Sequence, residues 1–443
     1  MASAAEQLAQ NFNLGSFAKA TELRQRLVFA LIALIVYRIG TYIPLPGIDP
    51  IEMQNLFEQQ SGGVLGMFNV FSGGSIERMA IFALGIMPYI SSSIIVQLMT
   101  SVSPTLAELK KDGEAGRKKI NQYTRYGTVL LTIVQGYGVA VVLNQTGVVT
   151  ADPTLFIITT VITLLGGTMF LMWLGEQITA RGVGNGISLI IFAGIVAELP
   201  SALGQLFSLS YDQGELSPLA LVGLLILVVA TIVLIVVVER SQRRLIVQYP
   251  KRQTNNGVSQ GDTSHLPLKL NTAGVIPPIF ASSLLLMPVT IAQFSAAGGP
   301  EWLTTVTTLL GRGQPLFMVF YAAMIIFFCF FYTAIVFSPQ DTADNLKKYG
   351  GFLPGIRPGE RTAAHIDYVL TRITVAGALY LTVVCLLPEF LISGSAIPFY
   401  FGGTSLLIVV NVTMDTVTQV QSHLLAHQYE GLIKKSRLRG GRK

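Results

Sequence analysis

The residues that could carry out covalent or metal chemistry are few in this sequence, and they form no recognised catalytic motif. His423 and His427 stand four residues apart, which suits a metal pair on one helix, but no third ligand accompanies them. Ser188, Asp341 and Asp344 have no histidine at a recognisable spacing, and the sequence lacks a Walker-type phosphate loop, HExxH and GxSxG. We therefore predict no catalytic residue, metal or cofactor. A polytopic membrane enzyme stays open as an alternative.

The elements that position the remaining residues must lie in a bilayer. Of the 443 residues, 51% are hydrophobic and 12% charged, whereas a soluble domain carries about 25% charged residues. A membrane-spanning helix needs about 20 mostly apolar residues. Continuous runs of this kind predict α-helices rather than the alternating strands of a barrel. Ten such runs predict an all-α polytopic fold with ten transmembrane helices, at residues 27–44, 79–100, 123–143, 154–175, 186–206, 218–238, 272–293, 315–337, 373–392 and 400–419.

Lysine and arginine are distributed unevenly around these runs. All but Arg38, Arg78 and Arg312 of the 30 lysines and arginines lie before the first run, in or beside alternate loops, or after the tenth run. Short loops rich in these residues stay in the cytoplasm. Both termini are therefore predicted to be cytoplasmic, as residues 1–26 and a basic tail at 420–443. An even number of spans is then required, which agrees with ten.

Residues 62–75, on the predicted outer side, are apolar and rich in glycine but too short to cross a bilayer. Val64, Met67, Phe68 and Phe71 recur at helical spacing, which predicts a short half-helix between glycine hinges. Broken backbone at membrane depth is tolerated only inside protein or beside a water-filled cavity. The segment is therefore either a re-entrant stopper in a pore or an apolar loop packed on the outer face, and its composition favours neither.

Proline and polar residues mark two of the predicted spans. Proline removes a backbone hydrogen bond and bends a helix, so kinks are expected at Pro88 in the second span and at Pro277, Pro278 and Pro288 in the seventh. The second span also carries a polar face, which either bonds to neighbouring helices or lines a wet path. This face consists of Ser91, Ser92, Ser93 and Gln97.

Charged residues within the predicted spans are rare. Arg38, Glu198, Glu389 and Asp415 lie near span ends, where the side chain can reach the interface by snorkelling. A charge at the bilayer centre usually marks an ion or proton pathway. Its scarcity here favours a passive conduit over an ion-coupled secondary solute transporter, which remains the alternative function.

Two basic loops, residues 240–271 and 338–372, are predicted to face the cytoplasm and to dock a partner. The second contains PGIRPGE at 354–360, in which tight Pro-Gly turns support Arg357 between Pro354 and Pro358. A guanidinium on a stiff support suits a carboxylate or phosphate partner. The candidate docking residues are Arg243, Arg244, Lys251, Arg252, Arg357, Pro358 and Gly359.

Several longer strings resemble one known family closely. They are FALGIMPYIS (82–91), QYTRYG (122–127), GTMFLMWLGEQIT (167–179), RGVGNGIS (181–188), HLPLK (265–269), GVIP (274–277), DTADNLKK (341–348), PGIRPGE (354–360) and PFYFGGTSLLIVV (398–410). On these strings the chain resembles the SecY family of bacterial protein-conducting channel subunits, over nearly its whole length.

The resemblance implies a clamshell of two pseudo-symmetric five-helix halves, 27–206 and 207–419. It implies an apolar pore ring, which spacing supports in part because Ile86/Ile90 and Ile187/Ile191 are pairs four residues apart. The implied ring is Ile86, Ile90, Ile187, Ile191, Ile279 and Ile408. The implied plug residues in 62–75 are Val64, Met67, Phe68, Asn69 and Phe71. The implied lateral gate, between spans 2 and 3 and spans 7 and 8, includes Ser91, Gln97, Ser283 and Met287.

The resemblance also implies the function and the partners. Unfolded secretory polypeptides would cross the bacterial inner membrane through this chain, and apolar segments would leave sideways into lipid. The small membrane subunits SecE and SecG would bind it, and the SecA ATPase or a translating ribosome would supply the driving force. No direct reading of nucleic acid is implied.

Overall fold

The computed structural model of the chain describes residues 21–49, 51–55, 69–145, 148–150, 152–211, 217–249, 253–254, 257–258, 263–295, 314–394 and 403–440. Within these residues the backbone is mostly helical, and a helix occurs at each of the ten predicted runs. The helices are α1 Thr21–Gly40, α2 Met87–Val102, α3 Pro104–Lys111, α4 Glu114–Gln145, α5 Pro153–Arg181, α6 Gly186–Tyr211, α7 Pro218–Arg240, α8 Ile276–Ser295, α9 Pro315–Val336, α10 Pro339–Lys348, α11 Glu360–Gly394 and α12 Gly403–Gly440.

By length and composition, six helices of the described part can each cross a bilayer. A seventh candidate is the pair α2 and α3, which meet at a bend of 104°. The all-α membrane fold is thus confirmed, while the count of ten spans stays a prediction. The helix α12 also continues through most of the basic tail, which the sequence pattern treated as a separate segment.

Proline begins many of these helices rather than bending them. Among the described helices, α3, α5, α7, α9 and α10 all start with proline at the first or second position. The first turn has no partner for its N–H groups, so proline costs nothing there. At α7 the Ser217 hydroxyl also accepts a hydrogen bond from the Ala220 N–H at 3.2 Å.

The kinks expected in the second and seventh spans are therefore mostly wrong. Pro88 is the second residue of α2, because residues 79–86 form turns instead of the expected helix. Pro277 and Pro278 lie in the first turn of α8. Pro288 does lie inside α8, and two interior prolines that were not singled out, Pro200 and Pro388, lie in α6 and α11.

The loop 240–271 contains strands that the sequence pattern did not predict. The strands β1 Gln242–Gln248 and β4 Thr263–Lys269 pair antiparallel, and β2 Gln253–Thr254 pairs with β3 Gly257–Val258. Leu245 and Val247 of β1 are buried together with Leu268 of β4. One apolar face of the ribbon is thereby covered, which stabilises an otherwise marginal hairpin.

By its internal contacts the chain divides into two compact units. Unit 1 comprises Met1–Tyr89, Arg125–Ser201 and Ile408–Lys443. Unit 2 comprises Ile90–Thr124 and Ala202–Leu407. These units are defined by packing and not by internal repeats, so the pseudo-symmetric halves stay a prediction.

Each unit has its own apolar core. A cluster in unit 1 joins α4 and α5 to the segments around residues 45–53 and 79–84, with Phe156 and Leu164 fully buried. In unit 2 the aromatic rings of α8 and α9 interlock, with Phe280 edge-on to Phe328 at 5.7 Å between centroids.

Candidate functional site

The six candidate ring isoleucines are distributed over both units. Ile86, Ile191 and Ile408 belong to unit 1 and are 6%, 8% and 1% exposed. Ile187, also in unit 1, is partly buried one turn before Ile191 on α6, so these two share a helix face. Unit 2 holds Ile90, buried on α2, and Ile279, partly buried in the first turn of α8. Their assembly into one ring stays a prediction.

The predicted plug is described only at its carboxyl end. Val64, Met67 and Phe68 lie outside the described residues. Residues 69–75, here called the plug stem, begin with a helical turn and continue into a chain of internal hydrogen bonds. The Asn69 carbonyl accepts from the Gly74 N–H at 2.9 Å, and the Asn69 side chain accepts from the Glu77 N–H at 3.1 Å. Phe71 is partly buried.

The helix α1 holds the plug stem through polar contacts. The Tyr37 hydroxyl, on a side chain that is almost fully buried, donates to the Ser72 carbonyl at 3.2 Å. The Arg38 guanidinium donates to the Gly73 carbonyl at 2.5 Å. Gly73 has φ of +67°, which favours glycine, and a Cβ there would lie 3.0 Å from the Gly194 Cα of α6. The plug stem therefore packs directly against the backbone of α6.

Charged side chains surround this contact. The Arg38 Nη2 lies 4.0 Å from Glu198 Oε1 of α6 and donates to the Tyr42 hydroxyl at 3.0 Å. A second guanidinium, that of Arg78, stacks on the Tyr42 ring at 4.4 Å from its centroid. The side chains of Arg38 and Glu198 are 29% and 16% exposed. Both side chains therefore contact protein groups, which the expectation of snorkelling did not include.

Glu389 and Asp415, which were also expected to snorkel, differ in the exposure of their side chains. Glu389 lies beside Pro388 within α11 and is 3% exposed, so it too is enclosed by protein groups. Asp415 is exposed on α12, as snorkelling requires.

The candidate gate residues lie in unit 2. Ser91 is partly buried on α2, while its neighbour Ser92 is buried and donates to the Thr124 carbonyl in α4 at 2.7 Å. Gln97 donates to the Ser93 hydroxyl at 3.3 Å, and its Oε1 is buried with no partner among the described residues. The remaining two candidates are on α8: Ser283 is buried, and the side chain of Met287 lies outside the described residues.

The two basic loops form one platform in unit 2. Gln248 of β1 exchanges two backbone hydrogen bonds with Phe352, at 2.9 and 3.0 Å. The 352–359 turn is therefore fixed to the hairpin. Beneath these bonds lies a shared apolar cluster, which contains Leu245, Leu268, Leu353, Ile366 and Ile373.

Arg357 protrudes from this platform on a tight turn. It lies between Gly355 and Gly359, which have φ of +80° and +108°. Its carbonyl accepts from the Thr362 hydroxyl at 2.9 Å, which ties the turn to α11. Arg357 thus lies in a tight turn, as expected, and the stiffness of this support stays a prediction.

The other candidate docking residues differ in what the structure describes. Pro358 is exposed beside Arg357, and Arg243 and Arg244 are exposed on β1. Lys251 and Arg252 lie outside the described residues.

The SecY family model matches residues 80–417 of this chain. The chain belongs to the SecY family. It is 58% identical to the protein translocase subunit SecY of Pseudomonas aeruginosa over 421 residues, covering 95% of each sequence. It is 57% identical to the protein translocase subunit SecY of Escherichia coli K12 over 424 residues, covering 95% of this chain and 96% of the relative.

Solved structures agree on the fold of this SecY family member. A structure that concerns the plug domain of SecY and the closed state of its channel has a TM-score of 0.66 at 18% identity, covering 90% of this chain and 92% of the other. A canine Sec61 structure from a ribosome-channel complex has a TM-score of 0.58 at 16% identity, with the same coverage.

Two features of the site were not predicted from the sequence. One is the pairing of Arg38 with Glu198 beside the plug stem. The other is a bidentate ion pair in which Arg125 of α4 donates to both carboxylate oxygens of Glu176 on α5, at 2.8 and 2.6 Å. The sequence did contain a signal for the pair of Arg38 and Glu198. Both lie near the outer ends of their predicted spans, the first and the fifth, on the same predicted side as Arg78.

Proposed function

We propose that this chain forms the pore through which a bacterial protein translocase moves unfolded secretory polypeptides across the inner membrane. The observation that carries the proposal is the identity of 57–58% to SecY translocase subunits over 95% of the chain. The apolar helices and the shared fold make it a multi-pass membrane protein of that channel class. It is a channel subunit and not a catalyst, so the driving force comes from a partner.

The seal of this pore is proposed to be the apolar ring. A translocating chain exposes backbone groups that cost several kcal/mol each if they are left unsatisfied in hydrocarbon, so the path must be wet on both sides. A narrow collar of isoleucine resists wetting and stops ions. It forms no specific hydrogen bonds, so any sequence can slide past. This role is assigned to Ile86, Ile90, Ile187, Ile191, Ile279 and Ile408. The plug segment 62–75 is proposed to lie beneath this ring in the idle channel.

Release into lipid is proposed to occur between spans 2 and 3 and spans 7 and 8. Leu, Ile, Phe and Val each favour the hydrocarbon by roughly 0.3–0.6 kcal/mol, so a segment of about 20 such residues leaves the pore when the wall opens. Polar segments remain and cross. The residues assigned to this wall are Ser91, Gln97, Ser283 and Met287.

Ten spans with both termini in the cytoplasm are also part of the proposal. The uneven placement of lysine and arginine supports this orientation. It places the platform of the hairpin and the 352–359 turn on the cytoplasmic side, where a motor or ribosome docks. SecE and SecG as membrane subunits, and SecA as the ATPase, follow from membership of the family. A solute transporter is not proposed, because the reported relatives are translocase subunits.

Crosslinking of a stalled preprotein tests the proposal. Single cysteines replace Ile86, Ile191 or Ile408, which are buried, and as a control Ile158 on α5, which is 54% exposed as expected of a lipid-facing position. A secretory chain arrested in transit should crosslink to the three ring positions and not to the control. Crosslinks to Ile158→Cys alone would show that the preprotein runs outside the helix bundle, and they would reject the proposed channel.

A further inference from the structure

The plug stem has an apolar start, with Val70 buried and Phe71 partly buried, and a polar end that is held by hydrogen bonds. The buried residues of this polar end, 72–75, offer little apolar surface to pack. Two of their backbone carbonyls instead accept hydrogen bonds from α1, one of them charge-assisted from Arg38. Charge-assisted hydrogen bonds are about twice as strong as neutral ones, and partial burial spares them screening by water. Of these two bonds, the one from Arg38 therefore holds the stem more strongly.

Arg38 and Glu198 are each oriented by groups outside the stem. The Tyr42 hydroxyl accepts from Arg38 at 3.0 Å, and the Ser201 hydroxyl donates to Glu198 Oε2 at 3.3 Å. The other carboxylate oxygen, Oε1, faces Arg38 and the α-carbon of Gly74, where a Cβ would collide with it. Neither Tyr42 nor Ser201 belongs to the stem, so the groups that orient the pair do not depend on the stem being in place.

We propose that the Arg38–Glu198 pair is a reusable latch that fixes the plug stem to α1 and α6 in the idle channel. This inference rests on the proposed function, since it concerns how the idle channel is kept shut. Glu198 neutralises and aims the Arg38 guanidinium, and Arg38 holds the Gly73 carbonyl. Gly73 and Gly74 allow the backbone to approach both side chains. Arg38 and Glu198 are thus positioning residues for the seal.

A nearby cation provides the matched control. Arg78 stacks on the same Tyr42 ring, but its Nη1 is buried without a hydrogen-bond partner among the described residues. This nitrogen would lie 3.1 Å from a Cβ on Gly74, on the same side of the stem as the Glu198 carboxylate. Loss of Arg78 removes the same charge from the same cluster without breaking a bond to the stem.

The test compares Arg38→Gln and Glu198→Gln with Arg78→Gln in the complete translocase complex. Two measurements apply: hydrogen exchange of the amides in residues 69–75, and ion conductance of idle complexes in a planar bilayer. We expect Arg38→Gln to raise both by about tenfold, as a loss of about 1.4 kcal/mol would give. Glu198→Gln should give a smaller increase, because its amide retains the shape and the bond to Ser201. Arg78→Gln should raise neither.

A charge swap separates the latch from a loss of folding. In Arg38→Glu/Glu198→Arg the guanidinium again faces the stem, so exchange should be slower than in Arg38→Glu alone. Unchanged exchange and conductance in Arg38→Gln, or an equal rise in Arg78→Gln, would overturn the latch. If the unmodified complex moved no preprotein, the proposed function itself would fail, whereas a failed latch leaves secretion by the unmodified complex intact.

Discussion

Single glycines decide how closely the backbone of unit 1 packs around the candidate ring. A Cβ on Gly167 of α5 would collide with the Ile81 carbonyl in the turns that lead to Ile86. In the same way a Cβ on Gly186 of α6 would collide with a backbone carbonyl of α5. Backbone cannot move aside as a flexible side chain can, so these positions fix where Ile86 and Ile187 lie.

The glycine pair on α5 gives a prediction with an internal control. Gly167→Ala should destabilise the protein by about 1–3 kcal/mol, as overpacking does, because it pushes the 79–86 turns away from α5. Gly166, the adjacent residue, is exposed and has open space where its Cβ would lie, so Gly166→Ala should be neutral or stabilising by up to about 1 kcal/mol. Thermal unfolding of the purified complex in detergent measures both. Equal melting temperatures for the two variants would contradict the close approach.

At the scale of elements, the platform shows what apolar periodicity reveals and what it does not. The long runs predicted the positions of the helices because a membrane helix is apolar on most faces. The hairpin was missed because β1 reads QRRLIVQ, in which the exposed Arg243 and Arg244 are adjacent and polar and apolar residues do not alternate strictly. Its burial depends on Leu353 and Ile366, which come about a hundred residues later. The local sequence of the hairpin cannot predict a contact with residues so far along the chain.

The platform predicts a specific effect for Arg357. Arg357→Glu should slow ATPase-driven secretion by at least about tenfold, since reversing a charge at the centre of a contact costs about 2 kcal/mol or more. Assembly of the complex should be unaffected, because this side chain is exposed and the turn is held by its backbone and by apolar packing. The rate of import of a secretory preprotein into inverted vesicles measures the effect.

Arg361→Glu is the control for this variant. It makes the same charge change four residues later, on the exposed first turn of α11. If both variants slowed secretion equally, net charge of the loop rather than the 352–359 turn would be responsible.

At the scale of the whole molecule, the sequence predicted the membrane class and the helix positions better than it predicted contacts between side chains. The composition indicated a bilayer, and the ring and plug residues, which the resemblance implied, stay a prediction. The pairing of Arg38 with Glu198 links α1 to α6, and no periodicity connects residues 160 positions apart. The sequence showed both charged residues. It did not show that their side chains contact each other and the plug stem inside the protein.

The orientation of the whole molecule gives the last prediction. In a cysteine-free variant, which loses Cys329 and Cys385 from the helix interiors, a cysteine at Ser436 in the basic tail should react with a membrane-impermeant maleimide only in inverted vesicles. A cysteine at Thr146, in the loop between the third and fourth predicted spans, should react only from the outer side of intact spheroplasts. The two positions are separated by the fourth to tenth spans, an odd number, so the ten-span order places them on opposite sides. Reaction of both from the same side would require an even number of spans between them and would contradict that order. Labelling of Ser436→Cys from outside would reverse the orientation and move the docking platform away from any cytoplasmic motor.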